Sequence, residues 1–376
     1  MTSGRKYALD FRAEETAYVM EHWLASQSCS LVGIGSVGKS NLLRHLATPE
    51  VQAHYMNPQK AERFKAIIID PNLLGVLPAH AHVDEPLQAW AGYELLMHRL
   101  YLAFYPLSEV LGPEDARRFW DTYQALQDGN NPLYAYMSVR YFELGIEFFM
   151  RRGWRIAFMF DEFEALMRQM PLRFFQNLRG LRDSNKRQLS YLTFTRAPLK
   201  ILAQTYDLPA LDFEPFEELF TDNTYFVGPY SEQDAARMVG ELSASSNKPI
   251  PDSLAWILIR LTGGYAGLLR SAFSIIDPAN YDSINDDTMS AMAQSLLTKS
   301  PIRSECRVIW SSLTEPEHYL LEAVARRTSY HKNVDTELAM NQLVHKRILR
   351  LDKQTQQLDI YPPIFRLYIL SKRDEG

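Results

Sequence analysis

Four short apolar runs divide the N-terminal half of the chain, and each is continuous rather than alternating. Stretches with apolar residues at helical spacing precede or separate these runs, at 11–27, 39–47 and 87–152. Continuous apolar runs of this length are typical of strands buried on both faces. The pattern predicts an α/β fold in which a parallel sheet has helices on both faces. The four predicted strands are SCSLVG (28–33), FKAIIID (64–70), RIAFMFDEFE (155–164) and QLSYLTFTR (188–196).

The pattern changes near Phe213, where the strand-like runs stop. The segment 222–242 begins with a short extended piece, and a helix follows for which Ser231 is the predicted N-cap. Residues 252–278 have helical spacing that is interrupted at a pair of glycines. This part of the chain is therefore predicted to be a separate helical region.

Another change comes at Pro301, where two or three short helices precede a predicted β-hairpin with a polar tip at Lys353–Gln357. Helices followed by a two-stranded wing are the order of a winged-helix domain. We therefore predict three domains: an α/β domain at 1–214, a helical lid at 215–300 and a winged helix at 301–376.

Composition and sequence patterns exclude three features: a polybasic chain, a cysteine framework and a membrane or signal segment. The 376 residues are 46% hydrophobic and 23% charged with a formal net charge of -5, so the whole chain is not a polybasic nucleic-acid binder. The two cysteines, Cys29 and Cys306, cannot form a metal or disulfide framework. The sequence contains no apolar run of the roughly 18 residues that a membrane span needs and no signal-peptide pattern. We expect a cytoplasmic protein without a membrane segment.

The stretch GIGSVGKS, at 33–40, satisfies two motifs at once. Gly33, Gly35 and Gly38 match the dinucleotide fingerprint G-x-G-x-x-G. Gly33, Gly38, Lys39 and Ser40 match the phosphate-loop motif of NTPases, G-x-x-x-x-G-K-[ST]. A dinucleotide site also needs an acid roughly 20 residues beyond the glycines. Here the acid after the second strand is Asp70, which is much farther along, and Lys39 and Ser40 have no purpose in a dinucleotide turn. The sequence favours the phosphate loop over a nicotinamide or flavin site.

In a phosphate loop the main-chain N–H groups and the helix N-terminus face the anion. Lys39 supplies a charge for the β- and γ-phosphates, and Ser40 places its hydroxyl on Mg²⁺. The predicted ligands are therefore ATP and Mg²⁺. The predicted nucleotide-binding residues of this segment are Gly33, Ile34, Gly35, Ser36, Val37, Gly38, Lys39, Ser40 and Asn41.

A phosphate loop needs a second strand that presents an acid to the metal, and AFMFDE (157–162) provides one. Asp161 is the predicted Mg²⁺ ligand. Glu162 is the predicted catalytic residue that polarises the attacking water, with a solvated carboxylate beside the site as the alternative. Glu164 is predicted to be a surface or helix-cap acid.

The order of these motifs resembles the STAND class of AAA+-related ATPases, which includes NB-ARC and NACHT proteins, and also initiator-type AAA+ ATPases. The elements that carry the resemblance are TFTR (193–196), LTGGYAGLLR (261–270) and the predicted winged helix. The similarity extends from FRAEE (11–15) to YPPIFRLYIL (361–370).

The resemblance implies further site residues. Thr195 and Arg196 match the sensor-1 position, at which a strand end contacts the γ-phosphate, and Arg270 matches a sensor-2-like arginine in the lid. Ala266 stands where the family usually has proline. Arg179 and Arg182 are either arginine fingers acting on a neighbouring subunit of a homo-oligomer, or part of a solvated helix face.

The resemblance also implies two alternative functions. The first is a slowly hydrolysing, nucleotide-controlled switch that assembles with a partner protein, in a bacterial defence or mobile-element system. The second is a DNA-binding AAA+ ATPase, a loader or transposition-type regulator, whose winged helix contacts duplex DNA. In the second, phosphate contacts would come from His345, Lys346, Arg347 and Arg350. In the first, the winged helix packs against the nucleotide-binding domain.

Overall fold

The structure is a computed structural model, and it describes residues 7–75, 85–127, 132–278, 286–351 and 357–372. The described residues fall into two compact units. The first comprises Met1–Leu31 and Ser40–Tyr225, and the second comprises Val32–Lys39 and Phe226–Gly376. The three-domain division at 214/215 and 300/301 stays a prediction.

The first 226 residues alternate between strands and helices, as the apolar runs predict. The strands are β1 (Cys29–Val32), β2 (Phe64–Ile69), β3 (Arg155–Phe160), β4 (Leu189–Thr195) and β5 (Thr224–Phe226). The helices are α1 (Ala13–Leu24), α2 (Lys39–Leu46), α3 (Pro49–Met56), α4 (Pro58–Ala61), α5 (Glu85–Ala103), α6 (Leu107–Leu111), α7 (Pro113–Gln127), α8 (Pro132–Met150), α9 (Phe163–Gln169), α10 (Leu172–Ser184), α11 (Leu199–Thr205) and α12 (Ala210–Glu217).

The five strands form one sheet in the order β2-β3-β4-β1-β5. β3 pairs in parallel with β2 on one side and β4 on the other, with Phe160 opposite both Ile69 and Thr193. The predicted α/β fold with a parallel sheet is therefore confirmed. β4, which leads into TFTR, therefore lies beside β3, the strand before Asp161.

Helices α5 to α8 form a long insertion between β2 and β3. Several of the aromatic side chains of this insertion are buried, and the rings of Phe104 and Phe149 stack with centroids 4.0 Å apart. Phe119 and Phe142 are fully buried in the same core, whereas Trp120 and Tyr136 are exposed. Packing therefore accounts for the buried part of this aromatic set.

The remainder of the chain is mainly helical, as predicted. Its helices are α13 (Glu232–Ser246), α14 (Asp252–Thr262), α15 (Ala266–Ile275), α16 (Asp286–Leu297), α17 (Ser300–Trp310), α18 (Glu315–Arg326), α19 (Val334–His345) and α20 (Pro363–Ser371). Ser231 is the N-cap of α13 and accepts a hydrogen bond from the Asp234 N–H. The glycine pair at 263–264 separates α14 from α15.

The predicted hairpin consists of β6 (Leu349–Leu351) and β7 (Leu358–Ile360), which pair antiparallel with Arg350 opposite Asp359. Most of its predicted polar tip, at 352–356, lies outside the described residues. The order of helices before this hairpin is the predicted order, and the assignment to a winged-helix domain stays a prediction. Among the described residues, no helix is both long enough and apolar enough to span a membrane.

Candidate functional site

The phosphate-loop segment connects β1 to α2, which begins at Lys39. Two of its residues have left-handed backbone conformations, Ser36 with φ 69° and Gly38 with φ 88°. Glycine adopts this conformation without strain, whereas serine rarely does. The loop is therefore a tight turn from a buried strand into a helix N-terminus, as the motif requires.

Within the first unit, Ser40 and Asp161 come together from distant parts of the sequence. The Ser40 hydroxyl donates a hydrogen bond to Oδ2 of Asp161, 3.3 Å away. Asp161 directly follows β3, and its main-chain N–H donates to the carbonyl of Ile69 at the end of β2. The two predicted metal ligands thus lie at the carboxyl ends of the strands, where ligands of α/β sheets bind.

Glu162 has a left-handed backbone with φ 42° and stands directly before α9. Its main-chain N–H donates to Oδ1 of Asp161, 3.0 Å away. A non-glycine residue in this conformation costs about 1–3 kcal/mol and is often found at functional sites. The local backbone therefore fixes Asp161 and Glu162 relative to each other.

Thr195 is the last residue of β4 and is fully buried. Its hydroxyl has no hydrogen-bond partner among the described residues. Arg196 follows, and its Nε lies 3.2 Å from Oε1 of Glu164. The structure thus places both predicted sensor residues at the end of the strand next to β3.

Of the two alternatives predicted for Glu164, the surface position is wrong, because its side chain is only 5% exposed. It lies in the first turn of α9, and the guanidinium of Arg196 compensates its charge. The sequence gave no signal of its burial because Arg196 lies in a distant part of the chain, directly after β4.

Within the second unit, the loop makes contacts that the sequence did not indicate. The Gly35 N–H donates to the Ser312 hydroxyl, 3.0 Å away, two residues beyond α17. The carbonyl of Ser36 accepts from Gly267 N–H at 3.0 Å, and its hydroxyl accepts from Leu268 N–H at 3.1 Å. The N-terminus of α15 therefore binds the loop directly.

Glycine is required at position 35 by this packing. A Cβ there would overlap the side chain of Val308 on α17 and lie 2.9 Å from its carbonyl oxygen. A Cβ on Gly38 would lie 2.9 Å from the Tyr230 hydroxyl and 3.2 Å from Cβ of Ala266. Ala266, where the family usually has proline, therefore still lies against the loop.

The remaining arginines differ in their environments. Arg270 is exposed on α15. Arg179 bonds Asp183 at 2.7 Å and the carbonyl of Pro215, and Arg182 donates to the carbonyl of Ser26 at 2.8 Å. Both candidate finger arginines therefore have partners within their own chain.

One acid, Asp70, and one N-terminal segment complete the comparison with the sequence. Asp70 accepts hydrogen bonds from the N–H and the side-chain amide of Asn72, so it caps a turn. In FRAEE, Arg12 forms a buried ion pair with Glu15 at 2.7 Å, and the ring of Phe11 packs edge-on against His45 of α2. This segment therefore packs on the helix that follows the loop.

No protein-family model matches the chain, and comparison with curated proteins finds no match. Among solved structures, the chain is similar to a Walker-type ATPase of Pyrococcus abyssi, with a TM-score of 0.53 and 14% identity over 96% of this chain and 95% of that chain. Weaker likenesses are to the ORC2 protein of Aeropyrum pernix (TM-score 0.45, 10% identity, 96% of this chain and 94% of that chain) and to Cdc6p of Pyrobaculum aerophilum (TM-score 0.42, 12% identity, 100% of this chain and 97% of that chain). The chain therefore has the fold of a Walker-type P-loop ATPase.

Proposed function

We propose that this protein binds and slowly hydrolyses ATP with Mg²⁺, and that the nucleotide controls a conformational switch of the STAND type. One observation carries the proposal: the hydrogen bond between Ser40 and Asp161, at 3.3 Å, joins the end of the phosphate loop to the acid that follows β3. These are the two side chains that a Walker-type ATPase needs at one metal ion.

The residues present fit Mg²⁺. A hydroxyl and a carboxylate are hard oxygen ligands of the type that this cation prefers, and it commonly takes only one or two such groups from the protein. When bound, the metal neutralises charge on the phosphates. Ser40 and Asp161 would hold it, while the loop amides and Lys39 would hold the phosphates.

Glu162 and Arg196 have separate roles in the proposal. Glu162, oriented by its left-handed backbone, accepts a proton from the attacking water. Arg196 contacts charge that develops on the γ-phosphate, and Thr195 offers its unpartnered hydroxyl nearby. Arg270 is proposed as a second, lid-based contact.

The contacts of the loop support a switch rather than a simple hydrolase. Gly35 and Ser36 are hydrogen-bonded to Ser312 and to the first turn of α15. A phosphate that accepts from the Gly35 N–H must break the bond of that N–H to Ser312, so nucleotide state is coupled to the position of Ser312, which follows α17. The bonds to α15 hold the loop through its acceptors and need not change. The output is assembly with a partner protein.

Two variants of the full chain test the proposal. Lys39→Ala should abolish Mg²⁺-dependent ATP binding, measured by calorimetry as the difference with and without Mg²⁺, whereas Lys60→Ala, on an exposed lysine of α4, should not. Glu162→Gln should bind ATP normally and hydrolyse it at least about 100-fold more slowly, a typical loss for a general base. Glu50→Gln, on an exposed glutamate of α3, is the matched control. Unchanged hydrolysis in Glu162→Gln would refute the assigned base.

The DNA-binding alternative receives mixed support. Helix α19, the second helix of the predicted winged helix, carries Asp335 and Glu337 and contains no lysine or arginine. Lys346 is buried, with Nζ 2.6 Å from Oε1 of Glu317, so it does not reach phosphates. Arg347 and Arg350 are exposed. These observations favour the switch, because a helix that reads the major groove usually carries basic side chains.

A binding isotherm separates the two functions. Duplex binding that requires ATP and weakens steeply with salt supports the DNA-binding ATPase. ATP-dependent association with a protein, unaffected by nuclease treatment, supports the switch. A pull-down of the partner protein should use the Glu162→Gln chain as bait, because this variant is expected to hold ATP.

A further inference from the structure

A cavity of about 980 Å³ lies within the second unit, between α13, α14 and the hairpin β6–β7. We call it the arginine–aromatic cavity, defined by Trp256, Arg260, Arg347, Arg350 and Tyr361 in its lining. No residue of the segment 33–41 lines it. The cavity is therefore separate from the phosphate loop, and its size is that of ligand-binding pockets in general.

Its three arginines have no anionic partner. Arg260, Arg347 and Arg350 are all exposed, and none forms an ion pair with a carboxylate of the described residues. Guanidinium groups that line a cavity and form no ion pair are suited to a phosphate, which they can bind through two parallel hydrogen bonds. The charge of the lining therefore favours an anionic ligand.

Two carboxylates also line the cavity, Glu232 and Asp252. Asp252 begins α14 and Arg260 lies in its last turn, so the rise of the helix separates them by about 12 Å. Glu232 begins α13 and is exposed. The cavity thus has acceptors for hydroxyl or amino groups as well as cations for a phosphate.

Aromatic rings form the rest of the recognition surface. Trp256 is 54% exposed, and the guanidinium carbon of Arg260 lies 5.0 Å from its ring centroid. The guanidinium carbon of Arg350 lies 3.4 Å from the ring centroid of Tyr361. Flat arginine and aromatic groups of this kind stack on nucleobases. An exposed tryptophan and a stacked arginine therefore favour a ligand that has a planar ring.

We infer that the arginine–aromatic cavity binds a nucleotide unit, with the phosphate on Arg347 and Arg350 and the base stacked on the Trp256–Arg260 pair. The unit is either a free mononucleotide or the 5′-phosphorylated end of a single strand. An acidic peptide would use the cations and leave the rings unused, and inorganic phosphate would fill only a small part of the volume.

Calorimetry on the full-length Lys39→Ala chain tests this inference, because that background removes the proposed ATP contact at the loop. The probes are AMP, the 5′-phosphorylated dinucleotide pTpT, inorganic phosphate and a tetraglutamate peptide. Arg350→Ala and Trp256→Ala should each weaken nucleotide binding roughly tenfold or more. Arg326→Ala, on α18 and outside the lining, should change it less than about twofold.

AMP binding as tight as pTpT binding supports the inference with a free nucleotide as ligand, and tighter pTpT binding supports it with a strand end. Absence of binding, phosphate or tetraglutamate binding as tight as AMP, or nucleotide binding that Arg350→Ala and Trp256→Ala leave unchanged would each overturn it. Thermal unfolding of each variant checks that it is folded. Loss of Mg²⁺-dependent ATP binding in Lys39→Ala with retained AMP binding distinguishes this site from the phosphate loop.

Discussion

The main-chain N–H of Gly35 and the hydroxyl of Ser312 form a hydrogen bond of 3.0 Å, although 277 positions separate them in the sequence. The same hydroxyl donates to the carbonyl of Val308, 2.7 Å away. Gly35 belongs to the segment that the sequence assigns to phosphate binding. One of the loop's amides is therefore already bonded to a side chain from the C-terminal part of the chain.

Replacing Ser312 with alanine should increase the affinity for ATP. A hydrogen bond contributes about 0.5–1.5 kcal/mol net, so the expected increase is roughly 2- to 12-fold. Ser311→Ala is the matched control, because the Ser311 hydroxyl bonds only the Val308 carbonyl, at 3.1 Å, and is exposed. Calorimetric titration with ATP and Mg²⁺ measures both, and equal affinities would show that Ser312 does not compete with nucleotide.

Replacing Arg196 with alanine should destabilise the protein as well as slow hydrolysis. The buried carboxylate of Glu164 would lose its cation, and breaking a fully buried pair costs about 3–5 kcal/mol. Arg196 is 40% exposed, so solvent screening reduces the expected loss to about 1–3 kcal/mol.

The double variant Arg196→Ala/Glu164→Gln separates the two effects. Glutamine is uncharged at position 164, so the free energy of unfolding should largely recover while hydrolysis remains slow. Recovery of both stability and hydrolysis would mean that Arg196 acts only through Glu164. Urea unfolding and single-turnover ATP hydrolysis are the measurements.

Lys346 and Glu317 form a buried ion pair of 2.6 Å, with side chains 1% and 2% exposed. Glu317 also accepts hydrogen bonds from the N–H and hydroxyl of Thr314, which caps α18. Lys346→Met should cost about 3–5 kcal/mol, because it leaves a buried carboxylate without a cation. Adding Glu317→Gln should restore most of the lost free energy of unfolding, since glutamine keeps an acceptor for Thr314. If urea unfolding shows no such recovery in the double variant, the pairing is contradicted.

The buried thiol of Cys306 should make stability depend on alkaline pH. Burial raises the pKa of Cys306 from 9.0 to about 12. The thiol therefore ionises in the unfolded chain before it does in the folded one, and the free energy of unfolding falls as pH rises above 9, by at most about 1.4 kcal/mol per pH unit. Cys306→Ala should show a shallower decline between pH 9 and 10.5, and identical slopes would contradict the prediction.

Elements with strong local patterns could be predicted from the sequence. Continuous apolar runs predicted β1, β2 and β4 within one residue at each end, whereas β3 ends at Phe160 and not at residue 164. The Ser231 cap predicted the start of α13, and the glycine pair predicted the break between α14 and α15. The phosphate loop, Asp161 and Glu162 could be proposed as site residues from the sequence because their chemistry requires fixed neighbours along the chain.

Other features had no such signal. Residues 363–370 are continuously apolar, and periodicity alone cannot distinguish a strand from a buried helix in such a run, so α20 was not predicted as a helix. The bond from Ser312 to Gly35 and the pairing of Glu164 with Arg196 join separate elements. Only the tertiary fold brings those residues together, so spacing could not reveal them.

The position of β1 in the sheet has a consequence for biosynthesis. β1 lies between β4 and β5 in the sheet, and both of these neighbours are translated after β2 and β3. The strand that leads into the loop therefore leaves the ribosome with two open edges, one of which β4 covers after Thr195 has emerged and the other of which β5 covers after Phe226 has emerged. A nascent chain stopped between Leu46 and Leu189 should thus need chaperone protection, and pulse-chase pull-down with a holdase would detect that dependence.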